Sequence, residues 1–132
     1  MLLSEAIIRN IFSISTQENF LFDDTILQNI TLEKNDKDIN WDHFNNVKNL
    51  SQLEGMINKM EKKEATLVGQ NGLLISGGQK QRISIARAMY KDASIILMDE
   101  ITSNLDESTE LKILNNLLTF KGKKTLIFVT HK

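Results

Sequence analysis

The chain predicts an α/β fold with a layer of parallel strands, and three observations predict it. Its second half alternates helix, strand, helix, strand. Two strand runs in that half, Ile95-Ile96-Leu97-Met98 and Leu126-Ile127-Phe128-Val129, are continuously apolar, as strands covered on both faces are. The length of 132 residues suits one domain with a real core, and 41% hydrophobic with 25% charged residues is ordinary for a globular chain.

In chain order, Ile7 to Ser15 is rich in isoleucine with some polar alternation and predicts a strand. Thr16 to Asp24 predicts a loop. From Thr25 to about Lys63 the pattern is helical but broken, with the polar run Glu33 to Asn40 as a connection. Trp41, Phe44, Val47, Leu50 and Leu53 recur at three-residue steps, which places them along a helix face. Gly69 to Gly78 is loop-like, and Lys80 to Lys91 predicts a helix. Leu111, Leu114 and Leu118 share a further helix face, joined by Ile113 and Leu117, and Gly122 can stop that helix. No internal repeat or low-complexity linker interrupts the series.

Several function classes are excluded early. A formal net charge of −1 supplies no basic field for nucleic acid or anionic lipid. The absence of cysteine removes disulfides and thiolate metal sites and fits a reducing compartment. No apolar run approaches the ~20 residues of a membrane span. Met1-Leu2-Leu3-Ser4-Glu5 has no basic start and only a short apolar stretch, so no secretory signal is expected.

The chemistry concentrates in two places. Ser76-Gly77-Gly78-Gln79 stands directly before the Lys80 helix. Ser76 can cap that helix, with Gln79 three residues on completing a capping box. The glycines let another backbone come close, and free N–H groups at a helix start attract anions. Alone, the segment reads equally as a capped helix and as an anion site. The second place is Asp99-Glu100, just past the end of an apolar strand, where α/β folds bind ligands.

Ile75-Ser76-Gly77-Gly78-Gln79-Lys80-Gln81-Arg82, continued by Ile85-Ala86-Arg87-Ala88, closely resembles the signature motif of ABC-transporter ATPases, with Ile75 where leucine is usual. The run ending in Asp99-Glu100 resembles the Walker B element. That resemblance implies that Asp99 holds Mg²⁺ and that Glu100 is the general base. Thr102-Ser103-Asn104-Leu105-Asp106 resembles the D-loop, with Asn104 in place of alanine, and Asp106 also suits a helix cap. Ser15 to Phe22 resembles the Q-loop. There Gln17 is implied to touch Mg²⁺ and the attacking water and to couple the site to a transmembrane domain. Phe20, Leu21 and Phe22 are either core or docking residues. His131 resembles the switch histidine that meets the γ-phosphate. Ala65 to Gly72 resembles the loop before the signature in exporters.

A Walker A loop needs Gly, four residues, Gly-Lys and Ser or Thr, and no glycine of the chain begins one. The resemblance therefore implies the later part of an ABC ATPase domain. Its fold class is a partial P-loop NTPase-like parallel sheet with an α-helical signature subdomain. Residues 1–24 would give a strand and the Q-loop, 25–91 the helical subdomain, and 92–132 the Walker B, D-loop and switch-histidine part of the core. The implied ligands are ATP and Mg²⁺. The implied partners are a second ATP-binding domain in a head-to-tail dimer and a transmembrane domain at the inner, cytoplasmic face of the membrane. No nucleic acid is expected. Strands absent from the sheet should leave apolar faces open. The isolated chain should bind ATP weakly and not hydrolyse it. Three other readings are a non-enzymatic partner lending Ser76 and Gly78 in trans, a DNA-repair ATPase of the SMC or Rad50 type, and a decayed gene product.

Overall fold

Residues 7 to 15 are not one strand in the computed structural model, which describes residues 4–131. Met1 to Leu3 and Lys132 lie outside the described residues, so the reading of the N-terminal stretch stays with the sequence. Glu5–Ile11 forms helix α1, and only Phe12–Ser15 forms strand β1. The reason is local. Ser4 caps the helix by accepting from the Ile7 N–H at 3.4 Å, and Arg9 pairs with Glu5 one turn away at 3.6 Å. The Lys91 ammonium donates to the carbonyls of Arg9 and Phe12 and so closes the C-terminal end of α1.

The remaining elements follow in the expected sequence. Thr25 caps helix α2, Ile26–Thr31. The polar connection holds a short 3-10 turn at Asp36–Asp38. Asn40 caps helix α3, Trp41–Leu50, which is followed by helix α4, Glu54–Asn58. Of the five residues predicted to line one face, Phe44, Val47 and Leu53 are fully buried, whereas Trp41 is exposed. Helix α5 spans Gly77–Tyr90 and strand β2 spans Ile95–Asp99. Helix α6, Glu107–Leu117, leads to strand β3, Thr125–Val129.

The three strands form one parallel sheet in the order β1-β2-β3, with Ile14 beside Leu97 and Leu97 beside Ile127. One face meets α5. Ile96 and Met98 are fully buried there, the Ser13 hydroxyl donates to the Ala88 carbonyl at 2.8 Å, and the Ser15 and Ser84 hydroxyls share a hydrogen bond at 3.0 Å. The small serines let the helix lie close to the strand while their hydroxyls stay paired. The other face is open: Phe12 is 44% exposed, Ile14 56% and Ile127 44%. β3 is thus not covered on both faces, contrary to the reading of its apolar run. The same run does sit in a parallel sheet, as predicted.

Helix α5 is the axis of the core. Ile83, Ile85, Ala86 and Met89 are buried among Leu21, Ile26, Ile30 and Phe44. Two readings are met in part. In α6 it is Ile113 and Leu117 that point inward, while Leu111 and Leu118 are exposed. The stripe toward the core lies one residue round from the leucine repeat, because only that side meets the rest of the fold. In the segment Phe20 to Phe22 only Leu21 is core, and the two phenylalanines are half exposed and meet edge to face at 5.2 Å. Arg87 fixes this segment from α5. It donates to the Phe20 carbonyl at 2.8 Å, the Asn29 carbonyl at 2.6 Å and the Asn29 side chain at 2.9 Å.

Candidate functional site

The glycine loop is built by its own residues. Ser76 accepts from the Gln79 N–H at 3.2 Å, and the Gln79 side chain accepts from the Ser76 N–H at 3.0 Å, so the capping box is complete. Gly77 and Gly78 begin α5, where the N–H groups carry the positive end of the helix dipole. Their lack of side chains has a visible use. A Cβ on Gly78 would stand 3.0 Å from the Asn104 carbonyl, and one on Gly77 would meet the Asn104 side chain at 3.7 Å. Asn104 is thus the residue packed on the glycines.

Arg82, one turn into α5, ties this loop down. It donates to the Gly78 carbonyl at 3.3 Å and to the Gln52 carbonyl at 2.7 Å. Burial pushes its pKa down, and the nearby Asp106 charge opposes that shift. Asp106 caps α6, accepting from the Thr109 hydroxyl at 2.7 Å and the Thr109 N–H at 2.9 Å. These hydrogen bonds, the hydroxyl's first, hold the Asp106 carboxyl below the usual carboxylate range, with a smaller contribution from Arg82.

The carboxylate end is held differently. Asp99 is the last residue of β2. Glu100 follows with φ 48, in the left-handed region that a residue with a Cβ occupies at a cost. Its N–H donates to the Val129 carbonyl at 2.9 Å, and its carboxylate lies 3.2 Å from His131 Nε2. The Glu100 side chain is 20% exposed, against 77% for His131. Two residues separated by the whole of α6 and β3 are thus brought into contact.

Gln17 is exposed on the loop after β1. It lines a cavity of about 510 Å³ together with Asn19, Lys80, Gly77 and Asn104. The loop after β1 and the glycine loop therefore face one space. Gln81 joins the two halves of the site, and no role for it was read from the sequence. It is fully buried, donates to the Glu100 carbonyl at 3.0 Å and accepts from the Asn104 N–H at 3.1 Å. Its signal was available: a glutamine in the stripe shared with Ser84, Ile85 and Ala88 occupies a core position. Among the described residues, no group of three or more His, Cys, Asp or Glu could hold a metal by itself, and no helix is long and apolar enough to cross a membrane.

Comparison with known proteins bears on this arrangement. The sequence model of the ABC transporter family matches residues 4–103. The mitochondrial iron-sulfur clusters transporter ATM1 of Candida glabrata is 37% identical over 130 residues, covering 95% of this chain and 17% of that protein. The ATP-dependent lipid A-core flippase of Vibrio vulnificus is 38% identical over 125 residues, covering 95% of this chain and 21% of the flippase. The multidrug resistance-like ATP-binding protein MdlA of Buchnera aphidicola is 41% identical over 128 residues, covering 94% and 21%. The solved structure of a bacterial Atm1-family ABC exporter with ATP bound superimposes with a TM-score of 0.91 at 31% identity, covering 98% of this chain and 22% of the exporter. The chain spans about a fifth of the length of these relatives. The parallel sheet, the helical region beside it and the exporter relatives agree: this chain belongs to the ABC transporter family and carries part of its exporter-type ATPase domain.

Proposed function

We propose that this chain supplies the signature loop, the catalytic carboxylates and the switch histidine to the paired ATP sites of an ABC exporter. One observation carries the reading: an open helix N-terminus with two glycines and a carboxylate–histidine pair are connected through one buried amide. Ser76, Gly77, Gly78 and Gln79 would meet the phosphates of a nucleotide held by a second ATP-binding domain, because a helix start offers unpaired N–H donors to an anion. Asp106 would stand beside that nucleotide in the D-loop. Glu100 would take the proton of the attacking water, with His131 at 3.2 Å from its carboxylate to steady the charge and to meet the γ-phosphate.

The donor set suits Mg²⁺. Asp99 and Gln17 offer hard oxygens, and Mg²⁺ is normally held by one or two protein carboxylates with waters and substrate phosphates completing the shell. The ion, when bound, neutralises phosphate charge. A Walker A loop must come from elsewhere, since no glycine of this chain begins one. The transmembrane partner and the location at the cytoplasmic face belong to the same proposal.

A second reading is that the chain lends its glycine loop to a complete domain without hydrolysing ATP itself. Turnover separates the two. The chain is assembled with an ATPase domain that carries Walker A, and Mg-ATP hydrolysis is measured for the wild type and for Glu100→Gln. The first reading expects a loss of about 100-fold or more. Unchanged turnover in the variant leaves only the second.

A further inference from the structure

Gln81 lies on the buried face of α5 with no exposed surface. A buried amide is normally retained only with partners at both ends. Here the partners bracket the turn that leaves β2: Nε2 donates to the Glu100 carbonyl at 3.0 Å, and Oε1 accepts from the Asn104 N–H at 3.1 Å.

Glu100 needs such support. Its φ of 48 is an unfavourable conformation for a residue with a side chain, and it persists only if the surroundings impose it. Two hydrogen bonds grip its backbone from opposite sides. The N–H is held by Val129 on β3, and the carbonyl is held by Gln81 on α5. Without the second grip the carbonyl can rotate and φ can relax. The carboxylate then swings away from His131. The same glutamine fixes Asn104, whose carbonyl fills the space left by the missing Cβ of Gly78. One side chain therefore registers the glycine loop, the turn after β2 and the carboxylate against each other.

We infer that Gln81 is a positioning residue that sets the orientation of Glu100 and ties it to the N-terminus of α5. The inference rests on the reading of Glu100 as the hydrolytic base. The grip on its backbone is testable without that reading.

The test compares Gln81→Met, which keeps the volume and removes both hydrogen bonds, with Gln81→Leu, which removes both with a differently shaped apolar side chain. In the 132-residue chain, amide hydrogen exchange is read at Glu100, whose N–H bonds Val129 and not Gln81. Both variants should speed that exchange about tenfold, with exchange across Ile83 to Met89 unchanged as a control on folding. In the hydrolysing assembly both variants should lower kcat about 10- to 100-fold with KM for Mg-ATP within about twofold. If Gln81 only fills the core, Gln81→Met leaves Glu100 exchange and kcat at wild-type values, and the inference is overturned. If the wild-type assembly does not hydrolyse ATP, the reading of Glu100 as a base fails. The exchange result then still decides the grip. Should Gln81→Met fail to fold, Gln81→Leu decides, because it too leaves the Glu100 carbonyl without its donor, and wild-type exchange at Glu100 in it overturns the inference.

Discussion

The two ends of the site are built by different means. At the start of α5, Ser76 and Gln79 make a reciprocal pair of hydrogen bonds across four residues, and the helix behind them is packed on the core. At the end of β2, Glu100 relies on Val129, Gln81 and His131, which come from α5 and from the end of β3 with the residues just after it. The sheet repeats the contrast. The face beneath α5 is closed over β1 and β2, and the face with Phe12, Ile14 and Ile127 is open. The helical end can form from local sequence, whereas the carboxylate end depends on long-range order.

The largest expected effect sharpens that contrast directly. Ile85→Ala removes a fully buried side chain from α5 and should cost about 2–5 kcal/mol. Ile127→Ala on the open face of β3 should cost less than about 1 kcal/mol. Denaturant unfolding of the two variants checks the pair, and equal losses would break the comparison.

Gly78→Ala comes next. The new Cβ would stand 3.0 Å from the Asn104 carbonyl, so the loop must yield, at a cost of about 1–3 kcal/mol. The disturbance should appear in exchange at Asn104 and Glu100, across the site, more than at the end of α5. Ser76→Ala removes a cap and should cost about 1 kcal/mol, confined to the first turn of α5.

The smallest effect concerns acid. The carboxyl of Asp106 is lowered in the folded chain by its bonds to Thr109. A depressed carboxylate contributes stability above its unfolded value, near pH 4, and that contribution is lost as pH falls through the lower folded value. Asp106→Asn should therefore melt below the wild type at neutral pH, and the gap should shrink on acidification. A gap that widens in acid would reverse the assignment.

These contrasts explain what the sequence disclosed. The capping box was legible because its partners are three residues apart and local geometry decides it. The apolar strand runs were legible because burial demands them, but which faces stay open is set by what packs there, and no periodicity in β3 encodes that. Ile7 to Ile11 misled for the same reason: isoleucine favours strands, yet Ser4 and the Glu5–Arg9 pair start a helix before any strand partner is within reach. Of the face read from Leu111, Ile113, Leu114, Leu117 and Leu118, Ile113 and Leu117 are buried and Leu111 and Leu118 are exposed, because the helix meets the core on the side of the former pair. The contact of Glu100 with His131 spans 31 residues and was reachable only through family resemblance. The role of Gln81 needed the structure, since its two partners come from the turn after another strand.

The central claim is that this chain holds one part of an ATP site and lacks the loop that grips the phosphates. Calorimetric titration of Mg-ATP into the 132-residue chain alone tests it most directly. The account predicts no saturation below about 1 mM, with binding appearing only when a domain bearing Walker A is added. Saturable binding at micromolar Mg-ATP by the chain alone would contradict it.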